Sequence, residues 1–401
     1  MENFCITSKL LGSNKNFSVS SDGFQAVDKV DQSGWVLDLG YRTSGPCIRS
    51  LFKLGHRGIN TDPPAAHVRA MSVVAPDFAP PWSQVLPANT YRSFVKNMIK
   101  TVVQGMDDMP KQYCSSTWVD CGAVFDALKP AKIDSAAHKE LSASPDRAAG
   151  LDSFKPGPGG FAPPIVYDRF GTRTGRLTVQ SGPNILTLKK EYRRVLRSHF
   201  SDGKVVSLDF SALEARIILY EAGGFSSSVD LYQSIADDLF QGRASRQDVK
   251  IAVLGELYGA SRSTLCSRLK MSEKSLDEFT SVIRQCFKTP ELRSRLKSEL
   301  DANRVIRNKH GRPLEVPDEL SEHLLVNTFA QSTGVDVSLL GFKSILENVG
   351  TDGIRPLFVL HDALILDVRG DRLEDVQKID RVIVPGFDKP FYLKFEELQH
   401  S

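Results

Sequence analysis

The sequence predicts an α+β fold, with paired acids on one antiparallel sheet and a helical insertion between its strands. Three observations lead there. Two strand-like apolar runs, Val205–Asp209 and Leu357–Asp362, lie more than 150 residues apart and each close on an aspartate. Between them Arg246, Lys250, Leu254 and Tyr258 recur every four residues, so they share one broad face of a helix. Pro356 to Val368 reads as strand, tight turn and second strand, with His361 and Asp362 near the turn.

Composition sets looser bounds. A chain of 401 residues suits two or three subdomains. No run of 18 apolar residues occurs, so no membrane span is expected. Met1 to Phe17 carries no secretory pattern, and the six cysteines show no CxxC pair. Free thiols in a reducing, cytoplasmic compartment are the simplest reading. The net charge of +3 hides a split. Arg243 to Arg312 holds 16 Lys/Arg against 8 Asp/Glu, and Pro313 to Ser401 holds 8 against 16. That suits a polyanion grip beside a metal site, and equally suits ordinary solvated charge.

Along the chain, the first 150 residues say least. Gly34 to Leu39 reads as a strand, and Tyr91 to Met106 as a helix with Phe94, Val95, Met98, Ile99, Val102 and Val103 on one face. Asp152 to Pro164, with four prolines and three glycines, is a linker and marks a boundary. Leu188 to His199 is a basic helix or turn. Ser211 and Glu214 fit a capping box, starting a helix that runs towards Tyr220 and ends near Gly223-Gly224. Residues 231–239, 245–258, 272–287 and 291–302 look helical. A long, partly apolar helix falls within Leu320 to Leu346, and Pro390 to Glu397 suits an edge strand.

These residues suggest a chemistry. Two carboxylates at strand ends in one sheet offer hard oxygen ligands on rigid elements. A pair of divalent ions held there can activate a hydroxyl and stabilise a leaving pyrophosphate. Either aspartate alone would read as a turn or cap residue; the helix alters that balance. Tyr258 lies about 18 Å along the helix from Arg246, so a triphosphate could rest on the cations while a base stacks near the tyrosine. A plain amphipathic helix with solvated cations is the bland alternative. Gly259 stops or bends the helix directly after Tyr258.

At these residues the chain resembles the polymerase domain of the family A DNA polymerases, the group of bacterial DNA polymerase I and many bacteriophage replicative enzymes. Asp209-Phe210-Ser211-Ala212-Leu213-Glu214-Ala215-Arg216 resembles the first metal-binding motif. Arg246, Lys250, Tyr258 and Gly259 resemble the nucleotide-binding helix, and Val359-Leu360-His361-Asp362 the second metal-binding motif. Thr174-Gly175-Arg176-Leu177 and Pro183-Asn184-Ile185 resemble two turns of the family, and Asn327 and Gln331 its minor-groove contacts. The motifs keep the family's order over roughly residues 165–400.

The resemblance implies a right-hand fold: an antiparallel-sheet palm with helical fingers and thumb. Residues 1–165 would include the thumb and the start of the palm, and 166–230 the palm with the first metal motif. The fingers would be 231–320, and 321–401 would return to the palm. Asp209 and Asp362 would bind two Mg²⁺, for which Mn²⁺ could substitute. Arg246 and Lys250 would hold the triphosphate, with Lys250 also protonating pyrophosphate. Tyr258 would stack near the templating position, and Leu254, Glu214 and His361 would complete the nucleotide site. Arg176, Asn184, Asn327, Gln331 and the cluster Lys189, Lys190, Arg193, Arg194 and Arg197 would contact DNA. Primer–template DNA and dNTPs are the implied partners, with replication or processivity factors beside them and no membrane. No 3′–5′ exonuclease domain is expected.

Three departures from the family pattern stand out. Leu254 replaces the usual aromatic residue, Ala363 replaces the glutamate after His-Asp, and the interval from Asp209 to Arg246 is short. Single-subunit RNA polymerases share the Asp, Arg-Lys-Tyr-Gly and His-Asp signatures but lack a glutamate like Glu214, which tips the reading towards DNA synthesis. An RNA polymerase or primer-making relative, and a degenerate nucleic-acid-binding protein, remain the alternatives.

Overall fold

The computed structural model describes residues 3–40, 45–62, 65–74, 81–143, 150–317 and 322–398. The chain divides into two compact units, Met1–Ala123 with Gly311–Pro313, and Val124–His310 with Leu314–Ser401.

The first unit holds a four-stranded sheet of β1 (Phe4–Ile6), β2 (Asn16–Ser20), β3 (Gly23–Val27) and β4 (Trp35–Leu37), in the order β3-β2-β1-β4. Only β4 was legible in the sequence. The others are short, and β3 is almost wholly exposed, so no alternation of apolar and polar residues marks it. Among the helices that follow are α1 (Ile48–Leu54) and α2 (Ala88–Gly105). Helix α2 covers the predicted Tyr91–Met106 segment and buries Val95, Met98 and Val102 from the predicted face.

The second unit is built on a five-stranded sheet. Its strands are β5 (Lys204–Phe210), β6 (Ile354–Leu360), β7 (Ala363–Val368), β8 (Arg381–Val382) and β9 (Phe391–Glu397), in the order β6-β7-β5-β9-β8. The pairings are antiparallel throughout. Strand β9, expected at the edge, lies inside, because two-residue β8 pairs with it as Arg381–Tyr392 and Val382–Phe391. Tyr167 braces β6: its hydroxyl donates to the Val359 carbonyl at 2.7 Å and accepts from the Val359 N–H at 3.0 Å.

Between β5 and β6 run α3 (Leu213–Glu221), α4 (Leu231–Asp238), α5 (Arg246–Tyr258), α6 (Arg262–Leu269), α7 (Glu273–Phe287), α8 (Thr289–Asn303) and α9 (His323–Val349). Helix α6 was missed; the others match predicted segments. Helix α9 packs on α3, α5 and α8. Gly341 of α9 lets the Phe210 ring approach closely, since a β-carbon there would lie 2.7 Å from the ring edge. Phe210 also packs on Phe342 and Phe391, with centroids 5.5 and 6.3 Å away. Burying such rings contributes roughly 1.5–3 kcal/mol each. This packing fixes the strand that carries Asp209, one residue before its end.

Candidate active site

Strands β6 and β7 turn through two residues, His361 and Asp362, between paired Leu360 and Ala363. His361 takes φ 56, the left-handed conformation that glycine adopts without strain and that first turn positions often demand. On the far side of β7, Ala363 pairs with Asp209. The Phe210 N–H donates to the Asp362 carbonyl at 3.0 Å, tying the two aspartate-bearing segments together.

The two acids open into one cavity of about 360 Å³. It also takes in Arg176, Glu214, Arg246, Lys250, Leu254, Tyr258, Gln331 and His361, so ten of the seventeen predicted site residues meet in one place. The acids form one wall and the face of α5 another. Arg246, Lys250, Leu254 and Tyr258 of α5 line the cavity, and the helix that presents them is fixed at both ends. Ser245 and Asp248 form a reciprocal capping box at its start, and Gly259 closes it at φ 67 with its N–H on the Gly255 carbonyl.

The capping box expected at Ser211 and Glu214 does not form. Ala212 is the N-cap of α3, at φ 54 with no side-chain cap bond. The Ser211 hydroxyl donates instead to the Val229 carbonyl. Buried Arg216 draws the chain into this path: its guanidinium donates to the carbonyls of Ser211, Ser226 and Val229 and lies 4.7 Å from the Tyr392 ring centroid. Glu214 is thereby freed for the cavity. It accepts from the Arg176 guanidinium at 2.8 Å and from the Tyr258 hydroxyl.

The electrostatics follow from the crowding. Burial, and next the Asp362 charge, push Asp209 up to about 7, with Lys394 pulling the other way. Asp362 is raised as well, chiefly by burial and then by Glu214. Burial lowers His361. Tyr258 is raised by burial and by the Glu214 charge, so its hydroxyl stays a donor. Arg246 donates to Asp230 at 2.6 Å and lies 5.9 Å from the Tyr232 ring centroid, whereas Lys250 has no hydrogen-bond or ion-pair partner among the described residues.

The other seven predicted residues lie outside the cavity lining. Asn184 and Asn327 keep buried side-chain carbonyl oxygens without a hydrogen-bond partner among the described residues. Lys190 pairs with Glu396, and Arg194 with Glu140 at 2.8 Å. Arg193 donates to the Leu188 carbonyl. Lys189 and Arg197 are exposed.

The family model for DNA polymerase family A matches residues 166–386. The chain belongs to that family. Among curated relatives, the thermostable DNA polymerase I of Thermus aquaticus is 24% identical over 249 residues, 55% of this chain and 30% of that protein. DNA polymerase I of Deinococcus radiodurans is 24% identical over 248 residues, 55% of this chain and 26% of the relative. The chain therefore spans about a third or less of the length of the curated relatives it matches. A solved structure, the POL domain of Pol1 from M. smegmatis in complex with DNA primer–template and dNTP, aligns at a TM-score of 0.62. It is 13% identical and covers 99% of this chain and 95% of that one. The fold is thus the right-hand polymerase fold that the sequence led us to expect.

Divalent-metal catalysis belongs to family A in general, and the donor set here fits it thinly but adequately. Among the described residues, no group of three or more His, Cys, Asp or Glu gathers as a ready metal site. Mg²⁺ is commonly bound by one or two carboxylates, with water and substrate phosphates completing its shell, so the Asp209–Asp362 pair matches that habit. A raised carboxyl pKa beside a second acid is what a cation would relieve. Sequence reasoning missed Asp230, Tyr232 and Lys394. The last two line the cavity, and Asp230 holds Arg246. Their signal was positional: Asp230 caps α4 as an N-cap aspartate, and Lys394 falls on the period-two face of β9.

Proposed function

We propose that this chain is a DNA-directed DNA polymerase that adds dNTPs to a primer 3′-hydroxyl under the direction of a template. The observation that carries this reading is the single cavity in which the acid pair, the Arg246–Lys250 face and the Glu214–Tyr258 pair converge. Asp209 and Asp362 would hold two Mg²⁺ ions, or Mn²⁺ in their place. The chemistry such ions would supply is activation of the primer hydroxyl and relief of charge on the departing pyrophosphate. Arg246 and Lys250 grip the triphosphate, and Lys250 donates a proton to the leaving group. Glu214, fixed by Arg176 and Tyr258, crowds a 2′-hydroxyl. Tyr258 closes the base end, and Gln331, Asn327, Asn184, Arg176 and the 189–197 basic cluster face the duplex. Residues 166–230 and 321–401 serve as palm, 231–320 as fingers, and the thumb falls within 1–165.

The free state of all six cysteines supports a reducing workplace such as a bacterial cytoplasm. No helix among the described residues is long and apolar enough to cross a membrane. The test is primer extension by the purified chain, with dNTPs and then with rNTPs. The wild type should extend with dNTPs. Asp209→Ala and Asp362→Ala should abolish extension while leaving primer–template binding largely intact. A wild-type chain that binds primer–template and extends with neither set would overturn the assignment.

A further inference from the structure

Strand β9 brings a cation to the acid wall that the motifs do not include. Lys394 pairs in register with Asp209 on one side of β5, as Ala363 does on the other. Residues directly opposite in an antiparallel pair project from the same face, with β-carbons about 4.5–5.5 Å apart. The strip across the sheet therefore reads Ala363, Asp209, Lys394: a methyl, a carboxylate, a cation.

Three further observations locate the ammonium group. Lys394 lines the same cavity as Arg246 and Lys250. It is exposed, and no hydrogen bond or salt bridge holds it among the described residues. Its charge is felt by Asp209, where it opposes the upward push of burial and Asp362. It is also felt by Asp230; burial resists a downward shift there, but the Arg246 guanidinium, the Gln233 N–H and Lys394 together prevail. Asp230 is the carboxylate that holds Arg246 at 2.6 Å. By register beside Asp209 and by its place in the lining, Lys394 shares the cavity with the cation face of α5.

We propose that Lys394 is a third cation for the incoming triphosphate, gripping its β- and γ-phosphates from the sheet side while Arg246 and Lys250 hold it from α5. A triphosphate carries several negative charges, and half of the α5 cation pair is already engaged by Asp230. A free lysine across the cavity supplies the missing charge, with three donors on a flexible stem. This assignment rests on the polymerase reading of the cavity.

The experiment compares the wild type with Lys394→Ala and Lys394→Arg in single-nucleotide incorporation on a fixed primer–template. Binding of inorganic tripolyphosphate is measured alongside by calorimetry. Lys394→Ala should raise KM for dNTP about tenfold, the scale of one charge-assisted contact, and weaken tripolyphosphate binding similarly. Primer–template affinity should stay within about twofold, because the contact is to the nucleotide and not the duplex. Lys394→Arg should restore most of the loss. Unchanged KM and unchanged tripolyphosphate binding in Lys394→Ala would overturn the proposal, as would a loss confined to primer–template affinity. If the wild type extends no primer, the polymerase reading fails. Tripolyphosphate binding then still decides on Lys394: weaker in Lys394→Ala supports the phosphate contact, equal in both removes it.

Discussion

At the residue scale, Glu214 shows how context redirects a side chain. Its local pattern suits a cap, yet both carboxylate oxygens are engaged across the cavity by Arg176 and Tyr258. A carboxylate pinned from two sides is rigid enough to act as a steric wall, and a wall selects by clashing with the wrong substrate. Glu214→Ala should raise the efficiency of rNTP relative to dNTP use by about tenfold or more, the cost of a lost clash. Tyr258→Phe, which removes one hydrogen bond to the same carboxylate, should produce a smaller change in the same direction, about 0.5–1.5 kcal/mol. The ratio of kcat/KM values for the two sugars measures both. An unchanged ratio in Glu214→Ala would reduce Glu214 to a structural link between Arg176 and α5. Asp209 allows a test without turnover. Its carboxyl sits near 7 against an ordinary 3.8, so the folded protein holds a proton that the unfolded chain releases. Stability from this group is full below about pH 4 and is lost as pH rises through about 7. The mouth of the cavity is open to solvent, which limits the effect to about 1–2 kcal/mol. In chelator, Asp209→Asn should therefore come nearest the wild type at about pH 4 and below, and be more stable than it at about pH 8, by chemical denaturation. Equal stability at both pH values would show that the acid pair is not strained.

At the scale of elements, α5 is anchored at both caps and through a buried acid. Its buried Glu256 accepts from Thr289 at 3.0 Å and pairs with Arg284 at 3.0 Å, coupling α5 to α7 and α8. Its two cations differ in what constrains them. Arg246 is already oriented by Asp230 and lies near Tyr232, whereas Lys250 has no such partner among the described residues. Lys250→Ala should slow the chemical step about 10²-fold, the scale of one lost donor to developing charge. Arg246→Ala should act mainly on KM for dNTP. Neither should lower the unfolding midpoint appreciably, since both line the cavity and not the core. Rapid-quench incorporation separates the two effects; a Lys250→Ala variant with a normal chemical step would remove its assigned role. Much of this element scale was legible in advance. Asp209 and Asp362 ended apolar runs long enough to be strands, and the four-residue spacing of Arg246 to Tyr258 survives as one face of α5. What failed had physical causes. The Ser211 cap lost to Arg216, which is buried and distant in effect though near in sequence. Strand β9 was assigned to an edge because nothing marks a two-residue strand such as β8. Lys394 stayed invisible because a lysine on a strand looks solvated until the register places it opposite Asp209. Strands β1 to β3 offered too little alternation to be read.

At the scale of the whole molecule, a net charge of +3 is too small to hold a polyanion by bulk attraction, so on the proposed reading DNA affinity would come from placed cations. The 189–197 cluster is not uniform in this respect. Lys190 and Arg194 are committed to Glu396 and Glu140, in exposed pairs of the kind that are worth little and exchange readily. Lys189 and Arg197 are exposed without a partner among the described residues, so on the proposed reading they would meet phosphate without first breaking a pair. Each phosphate contact that is lost should flatten the slope of log affinity against log salt by about 0.9 on duplex DNA. Lys189→Ala and Arg197→Ala should each approach that change, whereas Lys190→Ala and Arg194→Ala should fall short of it. Arg176 differs again, because it lies in the cavity and half of its role is to hold Glu214. Its removal should cost extension more than binding, and should shift sugar selectivity in the direction of Glu214→Ala. Titrations of labelled primer–template at several salt concentrations test the ranking. A binding curve that is flat between low and moderate salt in the wild type would count against the entire cluster, and would leave the cavity as the sole contact with the primer end.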